Sequence, residues 1–298
     1  ICACLVGSEM CIRDSLTPNE LKEVLEKELQ PALKGVDRLL IGTYGSILDT
    51  YEISSECFDV ILDFVEKQNL KTIIFETHYD TVNTKILQKI QDKLSPKFNV
   101  AIEMGYESYN QSVLNNCLQK NLQLDQLLYA MNLIHRYSFE VILNVLLGSP
   151  FMSTPVQLHY ALKSIDWAFK NGADWVVIFP CNIKPFTVLY ELYKFDFYQR
   201  ISHWLVIDFL RRVPDKYLSK ISLSWYGDRD NFYDDKSLKL IPPEDCKDCH
   251  DKLFEFYEKF MKNRSATVRK MLLDDLISST KCECYNKWKR KLDEFPVL

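Results

Sequence analysis

Two close pairs of cysteines near the C-terminus, Cys246-x2-Cys249 and Cys282-x-Cys284, carry the clearest chemistry in this 298-residue sequence. Paired thiolate knuckles suit a tetrahedral metal site. A structural zinc is the leading expectation, with an auxiliary iron–sulfur cluster or four unligated thiols as alternatives. His250, next to Cys249, could substitute for one ligand, although a histidine beside a cysteine knuckle is more often a bystander. Cys57, Cys117 and Cys181 stand apart in the sequence. The first two read as packing residues on helices, whereas Cys181 follows an apolar run where a substrate could touch it. Lys281 and the run Lys287-Trp288-Lys289-Arg290-Lys291 interleave an aromatic with positive charge. Such a segment can grip an RNA backbone and stack a base; a solvated basic tail is the simpler reading.

A second set of ligand-binding residue types collects behind short apolar runs. Gly42-Thr43-Tyr44-Gly45-Ser46 follows Leu39-Leu40-Ile41, and its glycines and hydroxyls let backbone approach the charged end of an amino acid. Glu76-Thr77-His78-Tyr79-Asp80 follows Thr72-Ile73-Ile74-Phe75 and offers a carboxylate to an ammonium or a hydroxyl. Glu107 closes the segment after Val100-Ala101-Ile102, where acids that bind ribose hydroxyls stand in nucleotide-binding folds. Gly148-Ser149-Pro150 and the loop from Pro180 to Thr187 follow two further runs and are shaped for close backbone approach. Each cluster alone also reads as a turn or a helix cap. Together they make one rim.

The elements that must position these residues are legible from periodicity. The apolar runs, including Val141 to Leu146 and Trp175 to Phe179, are nearly continuous in hydrophobicity, as strands covered on both faces must be. Between them apolar residues recur at helical spacing: Phe58, Ile61, Leu62 and Val65; Ile86, Leu87 and Ile90; Leu127, Leu128, Met131 and Ile134; Leu158, Leu162, Ile165 and Ala168. Repeated βα units place their ligand at the C-terminal ends of the strands, in a barrel or in a doubly wound sheet. The sequence has eight glycines and neither G-x-G-x-x-G nor G-x-x-x-x-G-K-[ST], so an α/β barrel is expected. After Ile221-Ser222-Leu223-Ser224-Trp225 the alternation stops, and Ile241-Pro242-Pro243 opens a small helical extension containing the cysteine pairs. The expected division is a barrel over 16–240 and a metal-binding extension over 241–298.

Composition narrows the partners. The net charge of -4 gives no global field to gather nucleic acid, so contact with RNA would need a local basic patch. No apolar run reaches the roughly 20 residues that span a bilayer, and no leader pattern opens the chain; a cytoplasmic protein with no membrane partner is the default expectation. Residues 1–15, ICACLVGSEMCIRDS, show neither a helical nor a strand period and abut a clean helix start at Leu16-Thr17-Pro18-Asn19-Glu20. Met10 to Ser15 reads as the translation of a sequencing-library adapter. The segment is therefore expected to be non-native, and Cys2, Cys4 and Cys11 lack a cluster spacing.

The ordered segments GTYGSILD, IIFETHYD, VAIEMGYES, LQKNLQLDQLLYAM, VILNVLLGSP and FPCNIKPFTVLYELY make residues 16 to about 230 resemble the radical S-adenosylmethionine superfamily. Within it, the chain is similar to the branch holding the elongator catalytic subunit, the methylthiotransferases and the archaeosine synthase radical enzyme. GYES followed by a lysine about a dozen residues on is the most specific element. The resemblance implies a partial (β/α)6 barrel that binds a 4Fe–4S cluster and S-adenosylmethionine, cleaves the latter to a 5′-deoxyadenosyl radical, and draws electrons from a reductant protein. By position it places Gly45 and Ser46 by the methionyl amino group, Glu76 on the second rim loop, Glu107 near the ribose, and Gly148, Ser149 and Pro150 near the adenine. The family's Cys-x3-Cys-x2-Cys loop, expected just before Leu16, is absent. Three thiolates must hold the cluster for the chemistry to run, so the chain is read as truncated and inactive alone, its parent gene product being the enzyme. The implied substrate is tRNA or another RNA, or a small metabolite. The rival reading is a noncatalytic barrel whose zinc-binding extension is an interaction module.

Overall fold

β-branched runs alternating with amphipathic helices build a parallel sheet in sequential strand order. The structure, a computed structural model, describes residues 2–4, 16–43, 45–224 and 240–293. Its seven strands are β1 (Cys2–Cys4), β2 (Arg38–Gly42), β3 (Thr72–Thr77), β4 (Asn99–Glu107), β5 (Glu140–Leu147), β6 (Trp175–Pro180) and β7 (Ile221–Leu223), ordered β1 to β7 across one sheet. The ladders joining β1, β2, β3 and β4, and that joining β6 to β7, are parallel. A sequential order is that of a barrel wall; a doubly wound sheet reverses direction at a switch point. The fold is a partial (β/α)6 barrel with C-terminal helices, as the sequence predicts.

Local chemistry sets the helix starts. α1 (Pro18–Val24) opens at a capping box in which Thr17 Oγ1 accepts the Glu20 N–H at 3.3 Å and the Glu20 carboxylate accepts the Thr17 N–H at 2.8 Å. It runs on through a π-helical turn to α2 (Gln30–Ala32). Ser54 caps α3 (Ser55–Glu66) and Asn83 caps α4 (Thr84–Leu94). α5 (Leu124–Arg136) and α6 (Thr154–Lys170) follow β4 and β5. Their apolar stripes largely follow those read from the sequence: Phe58, Ile61, Leu62, Val65, Leu87, Ile90, Leu127, Ile134 and Ile165 are buried, whereas Leu128 and Leu162 are half-buried. Between β6 and β7 lie α7 (Val188–Lys194), α8 (Trp204–Arg212) and α9 (Asp215–Leu218), and the C-terminal helices are α10 (Lys247–Lys262), α11 (Ala266–Ser279) and α12 (Glu283–Asp293). Among the described residues no helix is long and apolar enough to cross a membrane.

The chain divides into two compact units, Ile1–Gly105 with Gln123–Leu143 and Gly172–Asp174, and Tyr106–Leu122 with Asn144–Asn171 and Trp175–Leu298. In the first, Phe58 of α3 packs on Phe75 of β3, with ring centroids 5.9 Å apart. In the second, Tyr106 stacks on Trp167 and Phe169 on Tyr217. The C-terminal helices share the second unit's core. Arg269 of α11 is fully buried and donates to the carbonyls of Leu218, Ile221, Phe260 and Asn263. Arg264 reaches Ser222 Oγ at 3.2 Å. A separate extension was the expectation from Ile241-Pro242-Pro243; helical periodicity shows that a face is apolar but not which element it meets.

Two further differences from the sequence reading have simple causes. Cys2–Cys4 forms β1 opposite Leu40–Gly42 although residues 1–15 lack a strand period. A three-residue ladder is held by backbone groups that every non-proline residue carries, so it needs no pattern of side chains. β4 runs on to Glu107, carrying the GYES segment into the sheet itself. Trp225, assigned to the last strand from sequence, lies outside the described residues.

Candidate functional site

In the first unit, the rim is built at the ends of β2 and β3. Gly45 and Ser46 are wrapped around a carboxylate that sequence reasoning missed: Glu52 Oε2 accepts the Ser46 N–H at 2.8 Å and the Thr43 hydroxyl at 3.0 Å. A Cβ at Gly45 would fall 2.0 Å from Glu52 Oε1, so glycine is what lets the carboxylate lie over the backbone. The Ser46 hydroxyl bonds with Thr77 and, at 2.8 Å, with Thr81, and it accepts the His78 N–H at 3.1 Å. That hydroxyl therefore ties two rim loops together, while the backbone N–H groups of Gly45 and Ser46 are taken by the Thr43 hydroxyl and the Glu52 carboxylate. Glu76, half-buried, lays its carboxylate against Gly42, where a Cβ would stand 2.7 Å from Oε2. Two residues on, His78 Nδ1 lies 2.6 Å from Asp80 Oδ1, a second polar pair that the sequence did not single out.

In the second unit, the ends of β4, β5 and β6 supply the rim. Glu107 sits at φ 65°, an unusual backbone setting for a side chain with a Cβ, and its carboxylate pairs with Lys120 at 2.9 Å. The GYES segment and its following lysine thus form one ion pair, with both side chains about a fifth exposed. Gly148, at φ 103°, meets Ile201 and Cys181, and its carbonyl accepts the Tyr198 hydroxyl at 2.9 Å. Gln157 of α6 donates to the carbonyls of Ser149 and Met152, both at 2.9 Å, which fixes the loop containing the buried Pro150. Asn144 Oδ1, on β5, is buried and has no hydrogen-bond partner among the described residues. Burial pushes the Cys181 thiol up to about 11, so it is no ready nucleophile.

The cysteine pairs converge at the start of α10. The sulfurs of Cys246, Cys249 and Cys282 all lie within 4.8 Å of one another, with Cys246 and Cys282 at 3.3 Å. A tetrahedral zinc with bonds of about 2.3 Å spaces its sulfurs by about 3.8 Å, which this group brackets. Cys284 lies beside them, its thiol in electrostatic contact with those of Cys246 and Cys249. The Cys249 backbone N–H, turned towards Cys246, holds that thiol below the usual cysteine range, whereas burial raises the Cys249 thiol. The Trp204 indole N–H is buried beside the Cys249 thiol and has no hydrogen-bond partner among the described residues. Three thiols gathered this closely can hold a metal ion.

The basic run after Lys281 does not present an aromatic to solvent. Trp288 is 5% exposed and donates its indole N–H to Asp208 Oδ2 at 2.5 Å. Lys289 lies over the ring of Tyr285, itself buried, and Arg290 pairs with Glu283. Base stacking on Trp288 is thereby excluded, because α12 turns Tyr285 and Trp288 inward and leaves Lys287, Lys289 and Arg290 outside.

Each unit carries groups of the kind S-adenosylmethionine would need: in the first a glycine-lined backbone with an acid beside it, and in the second an acid at the end of β4 and a buried amide oxygen on β5 with no hydrogen-bond partner among the described residues. Among the described residues neither set includes the three thiolates that a 4Fe–4S cluster needs. Among the described residues the one group of three metal-binding side chains is that of Cys246, Cys249 and Cys282 on the C-terminal helices.

No described protein-family profile matches the chain. An uncharacterized protein of Methanocaldococcus jannaschii is 23% identical over 260 residues, which make up 85% of this chain and 65% of that protein. Among solved structures, the archaeal Methanocaldococcus infernus Elp3 with an N-terminal deletion superposes with a TM-score of 0.56 at 15% identity, covering 87% of this chain and 62% of that one. Methylornithine synthase overlaps less, with a TM-score of 0.39 at 18% identity over 55% of this chain and 43% of its own. The chain thus spans less than two thirds of the length of the first two. The Elp3 likeness is one of fold.

Proposed function

We propose that this chain, which has the radical S-adenosylmethionine barrel fold seen in archaeal Elp3, is the S-adenosylmethionine-binding barrel of such an enzyme, whose substrate is an RNA or a small metabolite. The observation that supports this most is the Glu107–Lys120 pair, which makes one polar unit of the segment on which the sequence resemblance is most specific. When bound and reduced by a cluster, S-adenosylmethionine supplies a 5′-deoxyadenosyl radical. The chain's own residues bind and orient it. Within the second unit, Glu107 is assigned to the ribose hydroxyls, with Lys120 fixing its orientation, and Asn144 with the Gly148–Pro150 backbone to the adenine. Because the described residues do not suit the cluster, the radical step is assigned to the parent gene product rather than to this chain.

Calorimetric titration of the chain with S-adenosylmethionine tests the reading. Binding weakened at least about tenfold by Glu107→Ala, the equivalent of roughly 1.4 kcal/mol, with an unchanged circular dichroism spectrum is the expected result. Equal affinity in the two proteins would remove Glu107 from the site, and no binding to the unaltered chain would favour the noncatalytic interaction module. After anaerobic iron–sulfur reconstitution no 5′-deoxyadenosine should form; its detection would overturn the assignment to the parent.

In the same reading Cys246, Cys249, Cys282 and Cys284 hold zinc. Sulfurs this close suit one ion better than a cubane, which puts each thiolate on a different iron. Metal analysis of the purified chain should find about one zinc, and Cys246→Ser or Cys282→Ser should lose it, since a closed site tolerates no missing ligand. Iron instead of zinc, or no metal in the unaltered chain, would sink the assignment.

A further inference from the structure

We propose that the cysteine metal site braces the β5 rim loop, so that metal occupancy sets the order of the backbone assigned to the adenine. The proposal rests on the metal reading above and deepens it by giving the site a regulatory task.

The links run through one short segment, residues 201–204. Glu244 N–H donates to the Ile201 carbonyl at 2.7 Å. Asp245, the residue before the first cysteine, has a fully buried side chain; it accepts the Ser202 hydroxyl at 2.6 Å and lies 2.5 Å from His203 Nδ1, whose own side chain is 4% exposed. Trp204 lies beside the Cys249 thiol, and its ring is 4.4 Å from that of Tyr285, the neighbour of Cys284. Residues 202, 203 and 204 therefore each contact a residue that carries or adjoins a proposed ligand. Ile201, one position earlier, faces the other way along this chain of contacts. Its Cδ1 and Cγ2 both stand 2.8 Å from where a Cβ of Gly148 would be, so its side chain covers that glycine directly. Tyr198 adds a hydrogen bond to the Gly148 carbonyl.

A buried carboxylate that leaves its partners loses both Coulomb attraction and hydrogen bonds, and water cannot restore them there. Residues 244–246 and 201–204 must therefore move together or not at all. A metal gathering Cys246, Cys249 and Cys282 removes the freedom of the turn that carries Asp245. The restraint passes through Ile201 to Gly148, a position already in a backbone region that only glycine adopts easily. Outer-shell groups of this kind hold ligands in place; in this protein the same groups reach the rim.

The full chain, stripped with a chelator and titrated with Co(II), tests the brace. Thiolate-to-cobalt charge-transfer absorption reads occupancy, and hydrogen–deuterium exchange reads order at each occupancy. Amides of residues 148–152 and 198–204 should exchange at least about tenfold more slowly in the metal-bound protein. Ile201→Ala should keep the charge-transfer band and the slowing at 202–204 while abolishing it at 148–152. A normal band with unchanged exchange at 148–152 in the unaltered chain would overturn the brace and leave the metal site standing. Absence of the band would overturn both.

Discussion

Asp208 shows how one buried carboxyl constrains the protein's pH response. Burial holds its pKa above the ordinary carboxylate range, and the Trp288 indole N–H and Arg211 only partly offset that. The unfolded chain ionises this residue near pH 4. Above that point the folded state still keeps the proton more tightly than the unfolded one, so stability contributed at low pH is lost as pH rises through the raised folded value. Asp208→Asn keeps an oxygen for Trp288 and cannot ionise. Its stability relative to the unaltered protein should therefore improve between about pH 3 and pH 7, as read from denaturant midpoints at both values. A difference that stays constant, or moves against the variant, would show that the Trp288 bond outweighs desolvation.

At the scale of elements, α11 is held to α9, β7 and the end of α10 by the guanidinium of Arg269. Burial lowers its pKa to about 10, which leaves it charged at neutral pH. Four carbonyls from three segments accept from it, and each would be left unpaired on truncation. Arg269→Ala is expected to lower unfolding stability by about 3–5 kcal/mol, since every buried orphan costs roughly 1–3 kcal/mol and some gain water. Arg269→Lys should recover little of this, because an ammonium lacks the fork that spans several carbonyls at once. Chemical denaturation measures both. A loss below about 1 kcal/mol for the alanine variant would mean that the helices dock through their apolar faces alone.

For the molecule as a whole, a barrel shared with archaeal Elp3 positions a site without naming its chemistry, because unrelated reactions use one fold. The decisive property is which groups stand at the strand ends. The whole-molecule organisation also predicts how the chain responds to shortening. The second compact unit contains both the β6–β7 ladder and the C-terminal helices, and Leu218 and Ile221 give their carbonyls to Arg269. Ending the chain at residue 240 should therefore lower the melting temperature by several degrees, rather than release an intact barrel; a single kcal/mol already corresponds to about 2–4 °C in a chain of this size. An unchanged melting temperature would restore 241–298 to the status of an appended module.

The strands from β2 onward, most of the helical stripes, the cysteine pairs and the barrel class were legible in the sequence, because each depends on spacing along the chain: 2 or 3.6 residues for burial, and knuckle spacing for thiols. GYES and its lysine were legible for the same reason, though not as an ion pair. What the sequence could not carry are contacts between residues far apart in it. Nothing in the spacing tied Glu52 to Gly45, and Trp288 read as an aromatic free to stack a base until Asp208, 80 positions away, accepted its N–H. Ser202, His203 and Trp204 had no visible tie to Cys246. Those assignments come from side chains brought together by packing, where burial and the need to satisfy buried polar groups select partners irrespective of their separation along the chain.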